Sequence, residues 1–306
     1  MEYYFNVYLN DVGERIDLYL SKKTGKSREY CKRLIIDRNV SLDNENNNVK
    51  PSYQVKYGDK IYVKIFDEKP LEIRSQELDL NVIFENNNYF VINKPAGLVV
   101  HPGAGNFDNT LVNALINKVG HNFPAGDIRP GIIHRLDKDT SGVMIIAKNL
   151  DAKYRLGSLF KSRDIKKIYH AICFGMPDKD YFIINAPIAR HPKMRKLMSV
   201  VVNGKEAITE VRIKKRYSTA FLAEIELKTG RTHQIRVHMK YMGYPVIGDK
   251  VYNVKNSVKY PIERQALHAY LLEFVDPFTG EYKRFTAEYE QDFINLLDHL
   301  DAGLTK

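Results

Sequence analysis

Apolar residues recur at helical spacing twice near the start of the chain. "GERIDLYLSKKTG" puts Ile16, Tyr19 and Leu20 on one face and stops at Gly25, and "SREYCKRLIIDRN" opens on Ser27 as a cap and repeats the pattern through Tyr30, Cys31, Leu34 and Ile35. Two short amphipathic helices are predicted. The period then changes: "VSLD", an Asn-rich loop and "YQVKYGDKIYVKI", in which Gly58-Asp59 marks a turn and Ile61, Val63 and Ile65 alternate, predict a small sheet. Residues 66–80, "FDEKPLEIRSQELDL", are charged, carry Pro70 and have no clean period, so they read as a linker. Residues 1–70 are thus expected to form a small α/β module.

From Asn81 strand patterns dominate. "NVIFE" and "YFVINK" around Asn86 to Asn88 predict a hairpin, "TEVRIKKRY" and "AFLAEIEL" a second one, and "VMIIAK", "KKIYHAICF", "ALHAYLLEF" and "EYKRFTAEY" further strands. Helices are fewer: "TLVNALINKVG" after Asn109, "LDAKYRLGSLFKS" after Asn149, "THQIRVHMKYMG" capped by Thr232 and Gly243, and "YEQDFINLLDHL". Residues 81–306 therefore predict an α+β domain with one large sheet, mixed but mainly antiparallel, and helices to its side.

Composition sharpens this picture. At 306 residues, with 44% hydrophobic and 11% aromatic content, the chain can bury the cores of two domains. Its longest apolar runs fall far short of the roughly 20 residues that cross a bilayer, and the opening "MEYYFNVYLNDVGER" lacks the pattern of a leader, so a cytoplasmic protein with no membrane partner is expected. Cys31 and Cys173 belong to different segments and to no metal-binding spacing, which predicts reduced, buried, inert thiols. The net charge of +10 is concentrated: seven Lys/Arg face two acids between Ser21 and Arg38, with further clusters at "ARHPKMRK" and "RIKKR". A single run of this kind is usually a solvated face, but three together point to a polyanionic partner.

The stretch "PGIIHRLDKDTSGVMIIAKN" places Asp137 between basic residues ahead of an apolar strand. "DKDTSG" imitates the opening of a calcium loop, yet its twelfth position is Lys148 where a bidentate carboxylate is needed. A zinc site is equally unsupported, since His233 and His238 are five apart and no cysteine joins them, so no metal is expected. "HPGAGN" lacks the spacing of a phosphate-binding loop, and no G-x-S-x-G turn supports a serine hydrolase. Asp137 is then either a turn aspartate or a reactive one. A carboxylate near fixed cations keeps its charged form, which suits a nucleophile or base.

Two resemblances bear on that choice. "RIDLYL", "SREYCKRLI", "VSLD" and "VKYGDKIYV" resemble the S4 RNA-binding domain, which implies RNA contacts through Lys22, Lys23, Lys26, Arg28, Lys32 and Arg33. "NKPAGLVVHPGAGN", "GIIHRLDKDTSGVMIIAKN", "KKIYHAICFG", "LKTGRTHQIRVHMKYMGYPVIGDKVY" and "ALHAYLLEFVDPFTGE" resemble, in order, the motifs of RluA-type pseudouridine synthases over nearly all of residues 81–289. The second resemblance implies a pseudouridine synthase fold behind an S4 domain and the isomerisation of uridine to its carbon-linked form. That reaction adds and removes nothing and calls for no cofactor. It also implies Asp137 as the catalytic residue, Arg231 as its ion-pair partner and Tyr169 as the ring lying on an extruded uracil. Arg135 would fill the space that the base leaves, and His134 would line the site or shape its loop. The implied partner is RNA, with 23S ribosomal RNA and its helix 69 stem-loop as the leading target and another rRNA site or tRNA as alternatives. A catalytically silent ribosome-assembly factor is the competing class, and a monomer is expected.

Overall fold

In the computed structural model, residues 1–43, 49–66, 74–102, 108–123, 129–194, 197–253 and 260–303 are described. The chain divides into two compact units, Met1–Glu72 and Ile73–Lys306, and the division falls inside the stretch expected to be a linker.

In the first unit, β1 (Glu2–Asn6) precedes α1 (Ile16–Thr24), α2 (Arg28–Ile36), β2 (Val40–Leu42) and β3 (Lys60–Lys64), and the strands form an antiparallel sheet in the order β1-β3-β2. Helix α1 stops where Gly25 takes a left-handed φ of 68°, and the Ser27 side chain accepts from the Tyr30 amide at the start of α2. Ile16, Leu20, Ile61, Val63 and Ile65 are fully buried between the helices and the sheet. Strand β1 was not legible in sequence, because it lies at a sheet edge with nearly every residue exposed and so lacks alternation. The Asn-rich loop predicted at 43–48 lies almost wholly outside the described residues.

The second unit runs β4 (Val82–Glu85), β5 (Tyr89–Lys94), α3 (Leu111–Val119), β6 (Ser141–Ala147), α4 (Leu150–Ser162), β7 (Ile165–Phe174), β8 (Tyr181–Asn185), β9 (Ile188–Arg190), β10 (Met198–Val200), β11 (Ile208–Arg216), β12 (Ala220–Leu227), α5 (Gln234–Tyr241), β13 (Leu267–Val275), β14 (Tyr282–Thr286) and α6 (Gln291–Asp301). Nine strands make one sheet in the order β4-β5-β6-β13-β7-β12-β11-β8, with β14 also paired to β13. Every pairing is antiparallel except β6 with β13. Strand β6 is buried along its whole length, as a strand covered on both faces must be, and its run "SGVMIIA" shows no alternation. At its start Gly142, with φ 117°, lets the β13 backbone approach so closely that an added Cβ would lie 2.2 Å from the Ala269 carbonyl oxygen.

Two apolar cores divide the unit, one under β4, β5, β6 and α3, the other under β7, β11, β12, α5 and α6. Tyr169 on β7 packs against both, so this strand marks the seam between them. The helices fall where the pattern put them, with one correction. Helix α5 begins at Gln234 behind His233 and not behind Thr232. The buried Gln234 amide folds back to accept from the Thr229 hydroxyl and the Arg231 N–H, which tightens the turn and leaves His233 in a left-handed conformation at φ 55°. Both cysteines are buried, and burial raises both thiols' pKa values. Among the described residues no helix is long and apolar enough to cross a membrane.

Candidate active site

The loop carrying Asp137 is fastened to β6 at two points. Before it, Ile132 bridges Ile146 and the Ala147 amide donates to the Gly131 carbonyl; after it, the Thr140 amide donates to the Asp137 carbonyl and the chain enters β6. The turn is therefore held by the main chain of Asp137, and its carboxylate is not the cap. Lys94, at the end of β5, supports the loop from beneath: its fully buried ammonium donates to the carbonyls of Pro95 (2.6 Å), Leu98 (2.9 Å) and Lys138 (3.0 Å). Burial pushes Lys94 down to about 8, so at neutral pH it keeps three protons for three acceptors. On the far side of the turn, Arg264 pairs with Asp292 and Glu290 and also donates to the Asp139 carbonyl.

The Asp137 carboxylate lines a cleft of about 760 Å³ at the seam of the sheet. Arg236, in the first turn of α5, donates from Nη1 to Asp137 Oδ2 at 2.8 Å and from Nε and Nη2 to Asp249 at 2.7 and 2.9 Å. Asp249 is in turn held by the amides of Val251 and Tyr252. Burial opposes the charge on Arg236, but the carboxylates of Asp249 and Asp137 outweigh it and raise the guanidinium's pKa. Burial likewise opposes ionisation of Asp249, and the Arg236 hydrogen bond outweighs it and lowers that carboxyl. One arginine thus serves two acids. His233 adds a weaker contact, Nε2 to Asp137 Oδ2 at 3.9 Å.

The walls of the cleft are strongly basic. Arg135, Lys138, Arg163, Lys167 and Lys228 line it, and Asp137 is its sole carboxylate among the described lining residues. Its floor is apolar where Ile132, Leu227 and Leu267 contribute. The arrangement suits a flat, uncharged ring on a phosphate chain, with one acid at the ring.

A family model described as RNA pseudouridylate synthase matches residues 88–241. The chain is 38% identical over 292 residues to the uncharacterized RNA pseudouridine synthase YlyB of Bacillus subtilis, with 94% of each protein covered. It is 41% identical over 304 residues to the ribosomal large subunit pseudouridine synthase D of Buchnera aphidicola (subsp. Schizaphis graminum), again with 94% of each covered. The chain belongs to the RNA pseudouridine synthase family. Among solved structures, the human RNA pseudouridylate synthase domain containing 4 shares the fold at a TM-score of 0.59 and 24% identity, over 72% of this chain and 93% of that one.

For an RNA pseudouridine synthase, the residues expected from sequence are partly brought together and partly not. Arg231 is the main correction. Its Nε donates to the Glu206 carbonyl at 2.9 Å, while the arginine on Asp137 is Arg236, five residues on. The physical reason is the turn before α5: Arg231 precedes it on the cleft rim, whereas Arg236 projects from the helix and is buried. Tyr169 lines the cleft, and burial together with the Asp137 charge raises its hydroxyl pKa, so the ring stays neutral. Arg135 is exposed on the cleft wall. His134 also lines the cleft, but its Nε2 accepts from the Ile145 amide at 3.1 Å, its ring stacks on Phe160, and burial pushes it down to about 3. It is a neutral tie between the loop and β6.

Lys94, His233, Arg236, Asp249 and Tyr252 were missed in the sequence. Arg236 and His233 lie inside "GRTHQIRVH", but spacing alone does not say which member of a helix start turns to the acid. His238 shares that segment and instead bonds Thr209 and the Ala186 carbonyl. Of the basic set in the first unit, Arg28 pairs with Asp17, which is 1% exposed and also held by Arg15. Lys22 and Lys23 reach Glu14 and Asp11, Lys32 lies 3.8 Å from Glu29, and the Arg33 guanidinium covers the Tyr30 ring. Lys26 sits in the turn between α1 and α2, its amide donating to Thr24 and its carbonyl accepting from Ser21. Residues 103–106 of "HPGAGN", and Arg195 and Lys196 of "ARHPKMRK", lie outside the described residues.

Proposed function

We propose that this pseudouridine synthase isomerises uridine in large-subunit ribosomal RNA, with Asp137 as the catalytic carboxylate. The observation that carries the reading is a paired acid, the sole carboxylate among the described lining residues, in a cleft with basic walls. The target follows from the relatives named ribosomal large subunit pseudouridine synthase D, 36–41% identical over most of the chain. The helix 69 stem-loop is the first site to assay.

In the reaction the bond from C1′ to N1 breaks, a bond from C1′ to C5 forms, the proton on C5 leaves and N1 takes one up. A nucleotide in folded RNA reaches Asp137 by leaving its stack, at a cost of a few kcal/mol. Phosphate contacts along the basic walls offset that cost. Tyr169 stacks on the uracil, and Arg135, exposed beside the loop, occupies the gap in the RNA. The Lys94 and Arg264 contacts hold the loop still while this happens. Residues 1–70 act as an S4-type RNA-binding unit.

The test is pseudouridine mapping of total RNA from cells with and without the gene, followed by the purified protein on the sites that change. Loss confined to large-subunit rRNA supports the proposal. Loss confined to tRNA moves the substrate, and no loss anywhere favours a silent assembly factor.

A further inference from the structure

His233 is an unexpected choice for its place. It directly precedes α5, where Ser, Thr, Asp, Asn or Gly fit best, and its side chain makes no cap hydrogen bond. Its φ of 55° is a left-handed conformation that glycine adopts freely and that, among other residues, Asn, Asp and His tolerate best. Helix geometry does not call for a histidine here. The surroundings of the ring do.

Tyr252 bears on the state of that ring. Its hydroxyl oxygen accepts from the Met198 amide at 2.9 Å and lies 2.8 Å from His233 Nδ1, so its own proton is available to Nδ1. A ring that accepts at Nδ1 carries its proton at Nε2. That nitrogen is the one 3.9 Å from Asp137 Oδ2. Burial and the charge of Arg236 both lower the pKa of the ring and keep it neutral, against the pull of Asp137 and Asp249. The oxygen facing His233 is also the one that Arg236 Nη1 holds, and Oδ1 has no protein partner among the described residues.

We propose that His233, in the tautomer set by Tyr252, is a positioning residue for Asp137: its Nε2–H and the Arg236 guanidinium together hold Oδ2, so that Oδ1 is the oxygen presented to the nucleoside. At 3.9 Å the histidine contact is longer than a hydrogen bond, and the proposal requires that it shorten once the nucleoside is bound. The inference rests on the reading of Asp137 as the catalytic carboxylate.

The experiment uses the full chain and measures tritium release from large-subunit rRNA labelled at uridine C5, under single-turnover conditions at varied enzyme concentration. His233→Ala is expected to lose about a hundredfold in maximal rate, with half-saturation within about threefold of wild type. His233→Gln, whose amide N–H reaches the same place, retains the rate within about tenfold, and Tyr252→Phe, which frees Nδ1 to take the proton, falls between. A wild-type rate in His233→Ala, a Gln variant no better than Ala, or a loss confined to half-saturation overturns the proposal. Thermal melts identify any variant that fails to fold, in which case Gln and Phe decide between them. A wild-type protein that releases no tritium sinks the catalytic reading itself, whereas an active one with an unaffected His233→Ala sinks only the positioning role.

Discussion

Asp137 and Arg236 lie 99 residues apart in the chain, and Arg236 Nη1 meets Asp137 Oδ2 at 2.8 Å. The same guanidinium clamps Asp249, whose side chain is wholly buried, so the pair belongs to a three-membered ionic group in which every charge has a partner. Removing the arginine strands two acids at once.

Arg236→Met is accordingly expected to destabilise the protein by about 3–5 kcal/mol, the cost of an uncompensated buried charge, and to abolish turnover. Arg231→Ala, which gives up only a carbonyl hydrogen bond at the rim, should change stability by less than about 0.5 kcal/mol and keep the Asp137 pair intact. Urea denaturation of both variants checks the ranking, and the reverse order would place the essential arginine at 231.

Asp137→Asn retains shape and an oxygen for Arg236 but loses the anion. We expect uridine isomerisation to vanish while RNA affinity stays within about tenfold, or 1.4 kcal/mol. Turnover by this variant, read by pseudouridine mapping, would remove Asp137 from its role.

The second unit should be acid-labile in a defined window. Burial pushes His134 down to about 3 and His170 and His268 to about 4, all from an ordinary 6.5. Each folded value lies below the unfolded one, so the stability these rings contribute is fully present above pH 6.5 and is lost as pH falls toward 4. Near pH 5 the unfolded chain takes up about three more protons than the folded one, a slope of at most about 4 kcal/mol per pH unit. Urea midpoints at pH 7, 6 and 5 measure it, with His170→Gln and His268→Gln each flattening the curve. A midpoint that does not move would contradict the burial argument.

In the first unit the basic residues should separate into two kinds. Neutralising Lys22, Lys23 and Lys32 is expected to make the salt dependence of RNA binding shallower, by about 0.7–0.9 in slope for each phosphate no longer neutralised, at unchanged melting temperature. Arg28→Ala should instead cost about 1–3 kcal/mol of stability, because Asp17 is buried beneath it. Filter binding across a salt series together with thermal melts distinguishes the two, and an unchanged salt slope in the lysine variant would count against RNA binding through these helices.

Much of the architecture was legible because it is local. Ser27, Gly25 and Asn149 announce helix ends by chemistry that operates within one turn, and β12 alternates because one of its faces is covered. Strand β1 was hidden because an exposed edge imposes no period, and the parallel pairing of β6 with β13 because two strands 127 residues apart at His268 and Ser141 leave no joint trace in either.

The site divides in the same way. The sequence alone determined the family motifs, the acid at Asp137, the aromatic on its strand and the basic balance of the chain, since each is a matter of which residues are present. Only the tertiary structure decided that Arg236 and not Arg231 reaches the acid, that Lys94 holds the loop from below, and that Tyr252 orients His233. Those assignments depend on which side of a tight turn each side chain leaves, and that is settled by burial of Gln234 and Asp249 in a core assembled from distant strands.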